Sequence, residues 1–169
     1  MRGSSASQPG EPSGRGLRVL VLQSRFNQAV GSGLAAGALE YLREVGATFE
    51  SELVSGAFEL PLVAQTAAFT GRYHAIVALG AVIKGETDHY EHIAREAARG
   101  LMEASLTTGV PIAFGVLTVT KEAHARARSK PGRHNKGREA AAAAVETALL
   151  LKKLTGAPAR RGRTGKGRP

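Results

Sequence analysis

The stretch GAVIKGETDHYEHI, Gly80–Ile93, joins the end of an apolar run, Ala75–Ile83, to a polar segment that is helical in pattern from Asp88 onward. A short apolar run is typical of a strand buried on both faces, and a turn containing Gly85 leads from it into the helix. A helix start leaves backbone N–H groups unpaired, and these groups together with the helix dipole favour a bound anion such as phosphate. His89 lies within one turn of that position and can transfer protons near neutral pH. The stretch therefore predicts an active site that binds an anion.

A strand followed by a helix occurs four times along the chain. The predicted strands are Leu17–Gln23, Thr48–Val54, His74–Ile83 and Pro111–Leu117, and the predicted helices are Asn27–Val45, Leu60–Phe69, Asp88–Thr107, Glu122–Arg128 and Arg138–Leu154. This alternation is typical of an α/β fold in which a parallel sheet carries helices on both faces. Such sheets bind ligands beyond the C-terminal ends of their strands. The sequence turns polar at all four ends, at Ser24–Asn27, Ser55–Glu59, Lys84–His89 and Thr118–Lys121, so we expect the site there.

Composition limits the domain organisation and the classes of site. A chain of 169 residues is long enough for one domain with a substantial core. We expect a disordered segment at residues 1–16, a folded domain at 17–156 and a disordered basic tail at 157–169. The absence of cysteine excludes disulfides and thiolate metal sites. No apolar run is long enough to span a bilayer and no signal-peptide core is present, so a cytoplasmic protein is expected.

The net charge of +9 is concentrated at the C-terminus. Five of the last ten residues are basic: Arg160, Arg161, Arg163, Lys166 and Arg168. A tail of this kind can adsorb to nucleic acid without specificity. A solubilising tail is the simpler interpretation, and we expect neither a specific nucleic-acid partner nor a membrane partner.

Three residues at the strand ends have both a structural and a functional interpretation. Phe26 can stack on a planar ligand or simply pack, and Asn27 can cap the helix that follows. Glu59 falls in the first turn of a helix, where a carboxylate is either a ligand contact or a favourable partner of the helix dipole.

Two further patterns resemble known site motifs in part. Gly31–Ala36 has the form G-x-G-x-x-A, but a dinucleotide site requires the first glycine at the strand end, so close helix packing is the favoured interpretation. His89 and His92 lack the zinc-binding HExxH pattern. No metal site is therefore expected.

Four segments, SGAFELP, GAVIKGETDHYEHI, PIAFGVLT and NKGREAAAAA, occur in that order. They resemble the successive signature blocks of the lumazine synthase family, and the resemblance runs in register from Arg18 to Leu154. It implies a flavodoxin-like, three-layer sandwich around a four-stranded parallel sheet. The implied reaction condenses 5-amino-6-(D-ribitylamino)uracil with 3,4-dihydroxy-2-butanone 4-phosphate. The products are 6,7-dimethyl-8-ribityllumazine, phosphate and water, in the penultimate step of riboflavin biosynthesis, and no cofactor is implied.

The resemblance also implies roles for individual residues. His89 would be the general acid/base. The pyrimidine and its ribityl chain would be bound by Phe26, Ala57, Phe58, Glu59, Val82, Ile83 and Phe114, and the phosphate by Gly85, Glu86, Thr87 and Arg126. Glu86 occupies a position that is often small in the family, so its side chain should point away from the anion or pair with Lys84. Phe114, Arg126 and Lys136 match positions that the family contributes from a neighbouring subunit.

The resemblance bears on assembly as well. The family forms pentamers, some of which stack into decamers or close twelve at a time into shells. The segment RARSKPGRHNK, Arg126 to Lys136, is about two residues longer than the family's short form RAGxKxGNK. This longer loop and the Gly- and Pro-containing residues 1–16 favour a pentamer or decamer over a 60-subunit shell. Riboflavin synthase is a further candidate partner.

Two other functional classes stay open at this point. A flavodoxin-like module that binds flavin or another nucleotide would share the fold, but it would not need His89, the phosphate loop and Arg126 together. An RNA-associated protein would depend on the basic tail alone.

Overall fold

A computed structural model describes residues 12–156 of the chain. In chain order the elements are β1 (Arg18–Ser24), α1 (Gln28–Glu44), β2 (Thr48–Val54), a single 3-10 turn (Ala57–Glu59), α2 (Leu60–Phe69), β3 (Ala75–Ile83), α3 (His89–Thr108), β4 (Ile112–Val119), α4 (Glu122–Ser129) and α5 (Lys136–Thr155). The predicted order is confirmed. The largest boundary differences, of two residues, are at the end of β4 and the start of α5. The 3-10 turn was not predicted.

The four strands form one parallel sheet in the order β2-β1-β3-β4. The central strands are aligned so that Val21 on β1 pairs with Val77 on β3. Alternate residues of β1 face opposite sides of the sheet. Val21 therefore belongs to a core that includes α1 and α5, whereas Leu22 belongs to a core that includes α2 and α3. The predicted three-layer α/β sandwich is therefore confirmed, and parallel strands bring all C-terminal ends to one edge.

Glycines allow α1 and α5 to approach each other closely. A Cβ added at Gly37 would lie 2.2 Å from Asn135 Oδ1, and one added at Gly137 would lie 1.9 Å from the backbone oxygen of Leu34. Within the Gly31–Ala36 pattern, a Cβ at Gly33 would lie 2.5 Å from the backbone oxygen of Ser129. These contacts support the interpretation of the G-x-G-x-x-A pattern as close packing rather than dinucleotide binding.

Replacing Gly137 with alanine is expected to destabilise the fold. The new methyl group would overlap the Leu34 carbonyl, and overpacking of this kind typically costs about 1–3 kcal/mol. That cost exceeds the gain in helix propensity, which is at most about 1 kcal/mol. Gly156→Ala is the control, because its Cβ would lie no closer than 3.4 Å to another atom. Urea unfolding at one fixed protein concentration measures both variants, and equal midpoints for the two would contradict the packing argument.

The described residues include only a small part of the two segments that were predicted to be disordered. Residues 12–16 of the predicted disordered segment are described, and there the Gly14 N–H donates to the Val45 carbonyl at 2.8 Å. The predictions for residues 1–11 and for the basic tail at 157–169 lie outside the described residues. Between residues 12 and 156, no helix is long and apolar enough to cross a bilayer.

Candidate active site

A cavity of about 520 Å³ lies at the C-terminal edge of the sheet. It is lined by Phe26, Asn27, Gly56, Ala57, Phe58, Glu59, Ala81, Val82, Ile83, His89 and Ile93. These residues follow or end strands β1, β2 and β3. The segment Thr118–Lys121, which contains the last two residues of β4 and the two that follow, does not line the cavity. Three strand ends therefore meet there rather than the four that were expected. We call this space the first cavity.

The end of β1 is fixed by Asn27. This residue has a left-handed backbone conformation, with φ 54° and ψ 52°, which asparagine tolerates better than most residues. The prediction that its side chain caps α1 is wrong, since no such capping hydrogen bond forms. Nδ2 instead donates to the Ala81 carbonyl on β3 at 2.9 Å. The bond joins two strand ends and holds the neighbouring Phe26, which is 72% exposed, beside the first cavity.

The end of β2 brings a carboxylate close to the Phe26 ring. A Cβ at Gly56 would lie 2.9 Å from Glu59 Oε2 and 3.3 Å from Phe26 Cδ2, so both side chains approach this glycine closely. The 3-10 turn that follows directs Phe58 into the same cavity. Two exposed aromatic side chains and one carboxylate thus share a wall, which suits a planar ring that carries a polar chain.

The end of β3 leads through an exposed loop into α3. His89 is the first residue of that helix and lines the first cavity. The Asp88 side chain makes no capping hydrogen bond. Within residues 12–156, the backbone N–H groups of Gly85, Glu86 and Thr87 have no acceptor. These three residues adjoin His89 without lining the cavity, and their free N–H groups suit an anion.

The Glu86 carboxylate is exposed, as is Lys84. The two side chains form no ion pair in the described part of the chain. Pairing with Lys84 was one of two expected ways to keep this carboxylate from a bound anion. The remaining expectation is that the Glu86 side chain points away from the phosphate.

A second cavity, of about 290 Å³, lies between β4 and the helices α4 and α5. Its lining is Phe114, Gly115, Val116, Leu117, Arg128, Lys136, Glu139, Ala140 and Ala143. Phe114 and Lys136, two of the three residues predicted to serve a neighbouring subunit, meet here. The two cavities share no residue. We call this space the second cavity.

Arg126, the third of those residues, lines neither cavity. Its guanidinium is paired with Glu122 on the same helix, with Nη2 and Oε1 2.6 Å apart. Arg128 lines the second cavity instead, and its Nη1 donates to the His124 carbonyl at 3.1 Å. Sequence reasoning did not single out Arg128, although the number of residues between it and Lys136 indicates it. From Arg128 to Lys136 the segment RSKPGRHNK has nine residues, the length of the family's short form, so no insertion is needed.

The carboxylates whose pKa is shifted take part in ion pairs outside the two cavities. The Tyr73 hydroxyl donates to Glu50, and Arg18 pairs with the same carboxylate; these contacts lower the pKa of Glu50. The bond to Glu50 raises the pKa of Tyr73. A hydrogen bond from Arg138 lowers the pKa of Glu44 and joins α5 to α1. None of these groups lines either cavity. The described residues contain no group of three or more His, Asp or Glu side chains that could hold a metal ion.

The parallel sandwich and the first cavity define a class of protein: an α/β enzyme with a cavity beyond the strand ends that is lined by two aromatic side chains, a carboxylate and the histidine at a helix start. Residues 16–152 match the family model for 6,7-dimethyl-8-ribityllumazine synthase. The chain belongs to the lumazine synthase family.

The chain is similar in sequence to individual members of the family over most of their length. The chain is 47% identical over 140 residues to 6,7-dimethyl-8-ribityllumazine synthase 1 of Caulobacter vibrioides, a match that covers 81% of this chain and 92% of that protein. It is 44% identical over 150 residues to the 6,7-dimethyl-8-ribityllumazine synthase of Nitratidesulfovibrio vulgaris, with 86% and 95% covered. The corresponding enzyme of Chlorobium phaeovibrioides is 46% identical over 142 residues, with 81% and 90% covered.

Proposed function

We propose that this chain condenses 5-amino-6-(D-ribitylamino)uracil with 3,4-dihydroxy-2-butanone 4-phosphate to give 6,7-dimethyl-8-ribityllumazine, phosphate and water. The observation that carries the proposal is the first cavity, which gathers Phe26, Glu59 and His89 from three separate strand ends. Family membership supplies the identity of the substrates. We expect the reaction to take place in the cytoplasm and riboflavin synthase to be a candidate partner.

The first cavity would bind the pyrimidine. The Phe26 ring would stack on the uracil ring, and Phe58 adds apolar surface to the same wall. Glu59 would accept hydrogen bonds from hydroxyls of the ribityl chain, since an ionised carboxylate only accepts. Ala57, Val82 and Ile83 would complete the contact to the substrate, in part through their backbone groups.

The phosphate would bind at the start of α3. The phosphate would be attracted by the positive end of the helix dipole and by the free N–H groups of Gly85, Glu86 and Thr87. Imine formation, phosphate elimination and ring closure each require a proton to be moved. His89 would move these protons, because it lies between the phosphate loop and the first cavity.

A ring of subunits would complete the site. Phe114 and Lys136 lie in the second cavity, which shares no residue with the first. If the second cavity of one subunit faces the first cavity of the next, the contact is heterologous, and contacts of this kind form a ring where the rotation between subunits closes. Exposed apolar side chains on α2 and α3, including Leu62 and Leu106, which are 71% and 77% exposed, offer surface for that contact.

We propose a pentamer, alone or stacked into a decamer. One argument against the 60-subunit shell no longer holds, because the loop before Lys136 has the short-form length when it is counted from Arg128. The glycines and prolines of residues 1–16 are poorly suited to supply an extra strand to a neighbouring sheet, which favours the pentamer or decamer over the shell.

We also propose that Arg128, rather than Arg126, is the arginine that binds phosphate. Arg128 lies with Phe114 and Lys136 in the second cavity, whereas Arg126 is engaged by Glu122 and lines no cavity. A guanidinium can form two parallel hydrogen bonds to a phosphate, so its position relative to its partners matters.

Replacing Arg128 with alanine is expected to raise the Michaelis constant for the butanone phosphate by roughly ten- to a hundredfold. This factor corresponds to the loss of one or two charge-assisted hydrogen bonds. The constant for the pyrimidine should change little, because stacking and backbone groups hold that neutral ring. Arg126→Ala is the matched control on the same helix, and it should alter neither constant by a comparable factor. Steady-state kinetics with each substrate varied in turn measures both. The opposite ranking of the two variants would return the role to Arg126.

A further inference from the structure

The amide of Asn135 connects three helices from a buried position. The residue is 1% exposed and precedes α5. Its Oδ1 accepts hydrogen bonds from the backbone N–H groups of Gly137 and Arg138, at 2.9 and 3.1 Å. Its Nδ2 donates to the carbonyls of Gly33 on α1, Ser129 at the end of α4 and Lys130 just after it, at 2.9, 3.0 and 3.0 Å.

No other side chain of the same size can make this set of bonds. A primary amide has two N–H donors and one oxygen with two lone pairs. Here both lone pairs are used, and two N–H groups serve three carbonyls, so one donor is shared. An aspartate would keep the cap on α5 and lose every bond to α1 and α4.

The small residues of α1 create the space for this amide. A side chain at Gly37 would collide with Asn135 Oδ1, and a side chain at Gly33 would collide with the Ser129 carbonyl that Asn135 binds. Helix α4, by contrast, has few anchors of its own, since only Ala125 and Ser129 among its eight residues are buried. The Asn135 amide is therefore a principal tie between the end of α4 and the start of α5.

This tie lies between the two basic residues of the second cavity. Arg128 immediately precedes Ser129, and Lys136 immediately follows Asn135. We propose that Asn135 is a positioning residue, which sets Arg128 relative to Lys136 and thereby controls affinity for the phosphate-bearing substrate. This inference rests on the proposed function of the second cavity. Asn135 itself lines neither cavity, so it acts through its neighbours.

The test separates the cap on α5 from the tie to α4. Asn135→Asp retains a side chain of the same shape with two acceptors, and Asn135→Ser retains a neutral N-cap without the reach to three carbonyls. The neutral serine variant controls for the charge of the aspartate. Val145→Ala is the control for general destabilisation, because Val145 is a fully buried residue of α5 that lines neither cavity.

Both Asn135 variants are expected to raise the Michaelis constant for the butanone phosphate between about tenfold and a hundredfold, as a small misplacement of a binding group does. The constant for the pyrimidine should stay close to that of the native chain, because stacking and backbone groups hold that neutral ring. Val145→Ala should lower the melting temperature while leaving both constants unchanged. Unchanged constants in both Asn135 variants, or the same rise in Val145→Ala, would overturn the positioning role.

A measurement that needs no turnover distinguishes this inference from the proposed function. Binding of inorganic phosphate, followed by phosphorus NMR, should be weaker in both Asn135 variants than in the native chain. If the native chain binds phosphate and forms no lumazine, the proposed function fails, and the positioning role is judged by phosphate binding alone. If the native chain forms the lumazine and all three variants bind phosphate equally well, only the positioning role fails. A native chain without phosphate affinity would overturn the positioning role as well.

Discussion

Monomers of this chain are expected to form the lumazine at close to the uncatalysed rate. The first cavity holds His89 and the aromatic wall, whereas the second cavity holds Arg128, Lys136 and Phe114, and one subunit does not bring them together. Light scattering combined with an activity assay across a dilution series measures this directly. Activity should follow a species of about five times the 17.6 kDa subunit mass, or about ten times that mass. An active monomer would contradict the shared site, and a particle of about sixty subunits would replace the pentamer or decamer with the shell.

Mixed rings provide a sharper form of the same prediction. Rings assembled from equal amounts of His89→Ala and Arg128→Ala subunits should contain intact sites wherever a native first cavity meets a native second cavity. With random arrangement in a heterologous ring, about one quarter of the sites are intact. At concentrations of the butanone phosphate well below the native Michaelis constant, where both variants are impaired, the mixture should therefore be more active than either variant alone. Activity equal to the mean of the two variants would place both residues in the site of a single subunit.

Replacing His89 with alanine is expected to slow turnover by about 10²–10⁴-fold, the usual contribution of a positioned proton donor and acceptor. Turnover should not disappear, because binding still brings the two substrates together and the condensation also proceeds in free solution. The affinity for the pyrimidine should stay close to native, since Phe26 and Glu59 are unaffected. Steady-state rates across pH 6–8 measure the effect.

His92 supplies the matched control for this variant. It lies on the same helix, is exposed, and does not line the first cavity. His92→Ala should leave the rate within the error of the native value at each pH. Full activity of His89→Ala over that pH range would show that another group transfers the protons.

The fold could be predicted from sequence because its signals are local and repeated. Each strand is a short apolar run and each helix has its own periodicity, so the order of elements and the parallel sheet followed without tertiary information. Polar residues at strand ends then located the first cavity, since Phe26, Glu59 and His89 come to one edge whenever the strands are parallel.

Details that depend on contacts between distant segments could not be predicted in this way. Asn27 has the residue type and position of a helix cap, yet its side chain binds the Ala81 carbonyl, a group 54 positions away in the chain. Nothing local distinguishes these two uses of an amide. Arg128 is a different case. It and Arg126 are exposed residues of one short helix, but the nine-residue spacing from Arg128 to Lys136 could have indicated Arg128 from the sequence, and the structure places it with Phe114 and Lys136.

Formation of the product tests the central claim most directly. The purified, assembled protein is mixed with 5-amino-6-(D-ribitylamino)uracil and 3,4-dihydroxy-2-butanone 4-phosphate, and the fluorescent lumazine is followed with and without EDTA. We expect product to appear well above the uncatalysed rate, with no added metal and with the same rate in the presence of the chelator. A rate equal to the uncatalysed background in correctly assembled protein would contradict the proposed reaction.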